Sequence, residues 1–197
     1  MRRLGSSLLC FFIGYATRVS AQSKRLIKLI PNEMTIQYAG NVGLNSVGLT
    51  WDYAKDDCLE TTVLLGYVPA YSNYSSTICL SAREMYTPWR LHLTKNVDFS
   101  PVSTGMMVSF TFGEDFWVVE PDYFPDHYYG FSSSVRFFVL LGQQFDFNIK
   151  THSGKIKKVS FYYQANTYDL MIIDYCNSKY LKLWDIIGLG LGLKIQL

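Results

Sequence analysis

From residue 32 onward, hydrophobic and polar positions alternate one for one. In SVGLTWDY, residues 46–53, Val47, Leu49, Trp51 and Tyr53 share one face, and Ser46, Gly48, Thr50 and Asp52 share the other. QFDFNIK sets Phe145, Phe147 and Ile149 against Gln144, Asp146, Asn148 and Lys150. KVSFYYQAN sets Val159, Phe161, Tyr163 and Ala165 against Lys158, Ser160, Tyr162, Gln164 and Asn166. The chain closes on IIGLGLGLKIQL, where Ile187, Leu189, Leu191, Leu193, Ile195 and Leu197 alternate with Gly188, Gly190, Gly192, Lys194 and Gln196. Side chains along a strand point to opposite faces in turn, so each segment predicts a strand with one hydrocarbon face and one small or polar face. No segment after the leader shows a helical period, and the expectation is an all-β chain.

The pattern predicts strands at 33–42, 46–54, 59–69, 75–94, 100–113, 131–149, 155–175 and 184–197, eight in all. Two are open to revision. Pro88 removes a ladder donor and can break the fourth, and a phase change near Gly43 would allow the first two to be one bulged strand. The connections alternate in kind. AKDDC (54–58), TKNVDF (94–99) and KTHSG (150–154) are short and polar, as tight turns are. NVGLN (41–45), PAYSNY (69–74), the long GEDFWVVEPDYFPDHYYG (113–130) and the stretch around CNSKYLK (176–182) lie between them. Short turns on one side, longer loops on the other and an even strand count suit a closed antiparallel up-and-down transmembrane β-barrel.

The N-terminus bears on location. MRRLGSSLLCFFIGYATRVSAQ joins a basic start, Arg2 and Arg3, to an apolar stretch from Leu4 to Ala16 and small residues at Val19 and Ala21. It reads as a secretory signal peptide over 1–21 that leaves a barrel domain at 22–197. Arg18 ends the apolar stretch too soon for a spanning helix, and Cys10 lies in the middle of it, unlike a lipoprotein cysteine. The whole chain carries a formal charge of +2; loss of a leader with three arginines and no acid leaves −1, and nothing argues for nucleic acid. Cys58, Cys79 and Cys176 are too few for a disulfide scaffold and fit no zinc spacing, so no metal or cofactor is expected, and any pairing among the three is open.

Alternation does not say which face is inside. Three features favour apolar outward. Charges such as Arg136 and Asp146 fall in mid-strand on the non-apolar face. Tyr53, Tyr67, Tyr86, Trp89 and Trp184 cluster near strand ends, where interfacial girdles form. The last residue, Leu197, is itself an apolar strand residue. Glu33, Asp52, Glu60, Arg83, Arg90, Arg136, Asp146 and Lys158 are then candidates for an internal network of mutually neutralising charges. A soluble secreted β-barrel that binds an apolar ligand is the reading if the faces are inverted.

GLKIQL (192–197) resembles the C-terminal signature of bacterial outer-membrane barrels, with Gly192, Ile195 and Leu197 in its places, although an aromatic residue is usual at the last one. PNEMTIQYAGNVGL, GEDFWVVEP and YYGFSSSVR are similar to an uncharacterised family of small outer-membrane β-barrel proteins from Bacteroidota. The resemblance implies the outer membrane as location, and as partners its lipids, lipopolysaccharide and the barrel assembly machinery. It implies no activity and no functional residues.

Candidate chemistry concentrates in the longest loop. Glu114, Asp115, Glu120, Asp122 and Asp126 lie among aromatic residues that include Trp117. Their oxygens suit a divalent cation bridging to lipopolysaccharide phosphates, and the rings suit sugars or the membrane interface. The spacing is no EF-hand, and Pro121 and Pro125 point to a rigid loop folded over the barrel mouth. His127 with Ser132, Ser133 or Ser134 and Glu120 supplies the residue types of a nucleophilic hydrolase, such as one acting on lipid A acyl chains, but no deacylase motif surrounds it. His92 and His152 have no partners in the sequence that single them out. The expected protein is a non-enzymatic outer-membrane barrel whose external loops serve surface binding or envelope integrity.

Overall fold

The computed structural model describes residues 30–54, 57–70, 75–113, 116, 132–149, 156–178 and 180–196. Nine strands form one antiparallel sheet: β1 Glu33–Ala39, β2 Asn45–Tyr53, β3 Leu59–Val68, β4 Thr77–Tyr86, β5 Leu91–Thr94, β6 Val97–Phe112, β7 Val135–Asn148, β8 Lys158–Tyr168 and β9 Gly188–Gln196. Neighbours in sequence pair except β4 and β5, β1 also pairs with β9, and β4 with β6. Eight strands thereby close a barrel, with β5 as a short addition to the wall. Closure runs through Glu33 opposite Gln196 and Ala39 opposite Gly190, so the terminal strand seals against the first.

Two prolines explain the ninth strand. Tyr86 pairs with Thr104 and Leu91 with Phe99, so β5 resumes the register that β4 leaves. The four residues between, Thr87–Arg90, face Ser100–Ser103, and each stretch holds a proline, Pro88 in one and Pro101 in the other. Neither proline can donate to the ladder. The expected strand 75–94 is therefore interrupted, and the β6–β7 register shifts by a bulge between Ser100 and Ser103.

The chain also leaves the sheet where continuous strand was expected. Instead of a strand to 175, Asp169–Asn177 forms the α-helix α1, and Leu183–Ile186 a 3-10 turn ahead of β9. Beyond Tyr168 one flank is missing: β9 begins only at Gly188, opposite Asn166, while β7 runs three residues past Phe138 to Val135 paired with β6 alone. Asp169 supports the turn into helix by accepting a hydrogen bond from the Leu170 amide at 2.8 Å. The Ile172–Ile173 pair looks strand-like in sequence, but tertiary context overrides such a preference. At the other uncertain point, β1 and β2 form a hairpin, not one bulged strand.

Orientation follows from exposure. Leu189, Leu191 and Leu193 are 67%, 47% and 45% exposed, while Lys194 is 3% and Gln37 1% exposed. The outer wall is largely hydrocarbon, and the polar residues are turned into the lumen. A soluble barrel around an apolar ligand requires the reverse, and that premise is not met. Tyr53 and Trp89 stand exposed toward the short-turn end of the wall, and Tyr67 and Trp184 toward the long-loop end.

Candidate functional site

The lumen has two layers. Toward the short turns lie Glu33, Asp52, Glu60, Asp146, Lys158 and Lys194, all within a few residues of strand ends on that side, with Arg83 reaching down from β4. Lys194 Nζ donates to Glu60 and to Gln144 Oε1, the latter at 2.7 Å. Arg83 lies 3.5 Å from Glu60 and donates through Nη1 to Gln37 Oε1 and Gln164 Oε1, each at 2.9 Å, and through Nη2 to Thr62. Lys158 pairs with Glu33 at 2.7 Å, and Arg90 approaches Asp146 at 3.7 Å. Tyr162 donates to Gln37 Oε1 at 2.8 Å, and its ring lies 4.9 Å from the Arg83 guanidinium and 5.0 Å from the Lys194 ammonium. Four carboxylates, Glu33, Asp52, Glu60 and Asp146, thus share the layer with four cations, Arg83, Arg90, Lys158 and Lys194.

The expected network is present with two changes. Arg136 is not part of it; its guanidinium turns to the Ser132 and Val135 carbonyls at the long-loop end. Lys194 was missed because in sequence it is merely one polar position in the glycine-spaced last strand. Those glycines have a lumenal reason. A Cβ on Gly192 would fall 2.2 Å from the Tyr162 ring, one on Gly190 3.0 Å from the Gly40 Cα, and one on Gly188 2.5 Å from the Asn41 amide nitrogen. The small inner face of β9 makes room for side chains and backbone contributed by other strands.

Toward the long loops the lumen is apolar. Val42, Leu64, Met85, Met107, Phe138 and Leu140 form a buried cluster against which Tyr168 packs. Val42 belongs to the β1–β2 turn, which folds inward and leaves it fully buried. The turn can do so because Ala39, Gly40, Asn41 and Gly43 all adopt positive φ. Asn166 holds it, donating to the Gly40 carbonyl at 3.1 Å and accepting from Asn41 at 2.7 Å. Between charged residues, a void of about 10 Å³ lined by Glu60, Arg83, Gln144, Tyr162, Gln164 and Lys194 has room for about one water molecule. An eight-stranded barrel is just wide enough for its own side chains, and this lumen is filled by them.

At the rim, Ser132 and Ser134 take structural positions. Ser132 Oγ accepts from the Ser134 and Val135 amides at 3.2 and 3.3 Å and so caps the start of β7. Ser134 is buried, and its carbonyl accepts from the Thr111 amide. The other members of the hydrolase candidate, His127 and Glu120, and the loop residues Glu114, Asp115, Trp117, Asp122 and Asp126 lie outside the described residues, as does His152. His92 is exposed and meets Asp98 at 2.5 Å beside the β5–β6 turn. Cys58, Cys79 and Cys176 are unbridged. Among the described residues no cluster of three or more histidine, cysteine or acidic residues could hold a metal ion.

No protein-family model, curated protein or solved structure matches the chain. Function has to be argued from the geometry alone.

Proposed function

We propose that this protein is a small outer-membrane β-barrel, closed to solute flow through its lumen, whose external loops serve surface binding or envelope integrity and not catalysis. One observation carries the reading: a largely hydrocarbon wall faces outward from a closed barrel whose ion pairs of Glu33, Glu60, Arg83, Lys158 and Lys194 are turned in. In water, an apolar surface that encircles the molecule drives aggregation; in hydrocarbon it is the required surface, and pairing of β1 with β9 removes the open edge that hydrocarbon would penalise. Aromatic residues toward both ends of the wall suit the two membrane interfaces. The leader-like N-terminus and the GLKIQL ending support the same location.

The test is extraction and folding. The mature protein should leave membranes only with detergent and should migrate faster on a gel before heating than after. A monodisperse, folded species in plain buffer would overturn the proposal. Lipid A from cells with and without the gene should have the same mass spectrum; a changed acyl count would restore the hydrolase reading.

A further inference from the structure

The wall carries one acid with no cation to match it. Glu84 lies between Arg83 and Met85, both turned into the lumen, so its own side chain is on the outer face of β4. It accepts hydrogen bonds from the Tyr53 hydroxyl on one oxygen and the Thr61 hydroxyl on the other, and those two hydroxyls are 2.9 Å apart. Among the described residues, the acids in ion pairs are Glu33, Glu60, Asp98 and Asp146, and no lysine, arginine or histidine pairs with Glu84. Strand pairing fixes its surroundings. Trp51, Thr61, Glu84 and Met106 form one row across β2, β3, β4 and β6; Tyr53, Leu59, Tyr86 and Thr104 form the row on the short-turn side. On the long-loop side, Leu49, Val63, Ala82 and Val108 are followed by Val47, Leu65, Leu80 and Phe110. Ala82, exposed and two positions from Glu84 on the same face, is the smallest side chain in these apolar rows.

We propose that Glu84, with Tyr53 and Thr61, binds the primary ammonium headgroup of a membrane lipid whose acyl chains lie over Val63, Ala82 and Val108. The proposal rests on the membrane reading above. A carboxylate at the edge of hydrocarbon requires a partner charge, and among the described residues no cation pairs with it. A primary ammonium brings both charge and N–H donors, and its lipid brings chains to cover the apolar rows. The two hydroxyls fix the carboxylate and leave its remaining lone pairs free to accept. The polar-to-apolar order of the rows, read from short turns toward long loops, matches a lipid with its head toward the short-turn side.

The experiment uses the mature barrel in detergent with equal amounts of phosphatidylethanolamine and phosphatidylcholine of identical acyl chains, and native mass spectrometry of the retained lipid. The wild type should favour the ethanolamine lipid by about tenfold, the size of one charge-assisted hydrogen bond. Glu84→Gln should abolish the preference, and Tyr53→Phe, which keeps the charge, should weaken it. Equal retention of the two lipids by the wild type, or an undiminished preference in Glu84→Gln, overturns the proposal and assigns the carboxylate to a protein-borne cation or to a neutral state. Displacement of the lipid by an equal concentration of free ethanolamine overturns the lipid as occupant. A barrel that needs detergent yet shows no preference refutes this site alone; one that needs no detergent refutes the membrane reading itself.

Discussion

The ammonium of Lys194, on the last strand, bonds to the carboxylate of Glu60, on β3 and 134 residues earlier, across the middle of the lumen. Both are withdrawn from water, so removal of either leaves a buried charge with an incomplete set of partners. Lys194→Met should destabilise the barrel by about 3–5 kcal/mol, whereas the double variant with Glu60→Gln should recover a substantial part of the loss. Urea titration of the barrel in lipid vesicles, followed by the heat-sensitive gel shift, measures both. Equal losses in the single and double variants would mean that the pair is not coupled.

Arg83 tests geometry separately from charge. Its guanidinium serves Gln37, Gln164, Thr62 and Glu60 together, which a single ammonium cannot reach. Arg83→Lys should cost about 2 kcal/mol despite keeping the charge. The same urea titration decides it, and an unchanged midpoint would show that charge alone matters there.

The inward turn has a clear steric requirement. A Cβ on Gly66 would lie 1.6 Å from the Val42 carbonyl oxygen. Gly66→Ala should therefore displace the turn and cost about 1–3 kcal/mol, with Gly113→Ala as a control that meets only the Phe116 ring. Hydrogen exchange at residues 40–44 should quicken in the first variant and not in the second.

The wall should reject charge and the lumen should not gain from hydrocarbon. Leu191→Arg should reduce folding into vesicles by about 2–4 kcal/mol, while Tyr180→Arg, at a fully open position past α1, should be neutral. Tolerance of arginine at 191 would contradict a lipid-facing wall.

The three cysteines predict a simple labelling order. Cys176 on α1 is exposed, Cys58 is partly covered and Cys79 is buried in the lumen. A membrane-impermeant maleimide should modify Cys176 first, Cys58 slowly and Cys79 only after unfolding, and migration should be the same with and without reductant.

Much of this architecture is legible in the chain because period-two patterning speaks directly about faces. Val47, Leu49, Leu65, Leu80 and Val139 stand outside, and Thr35, Thr50, Ser81 and Gln164 inside, as their alternation implies. What alternation does not report is pairing. Pro88 alone looks like a strand breaker; only its alignment with the Pro101 stretch shows that the wall is interrupted in two strands at one level and then resumes in register. Asp169–Asn177 leaves the sheet where β9, which begins only at Gly188, no longer flanks β8, a fact that a local window around Ile172 does not contain. In the lumen, the acids and arginines were visible as misplaced charges on an otherwise small face, but Lys194 gained its meaning only from Glu60, brought beside it by closure. Glu84 differs: alternation with an inward Arg83 already places it on the outer face, but its partners Tyr53 and Thr61 appear only when β2, β3 and β4 are paired.

The join between the first and last strands also orders events during biogenesis. Glu60 is made 134 residues before Lys194, so until β9 is synthesised the acid has only Arg83 as a counter-ion and β1 has an open edge. Arrival of β9 thus acts as a latch, and the sheet cannot shut before that strand is in place.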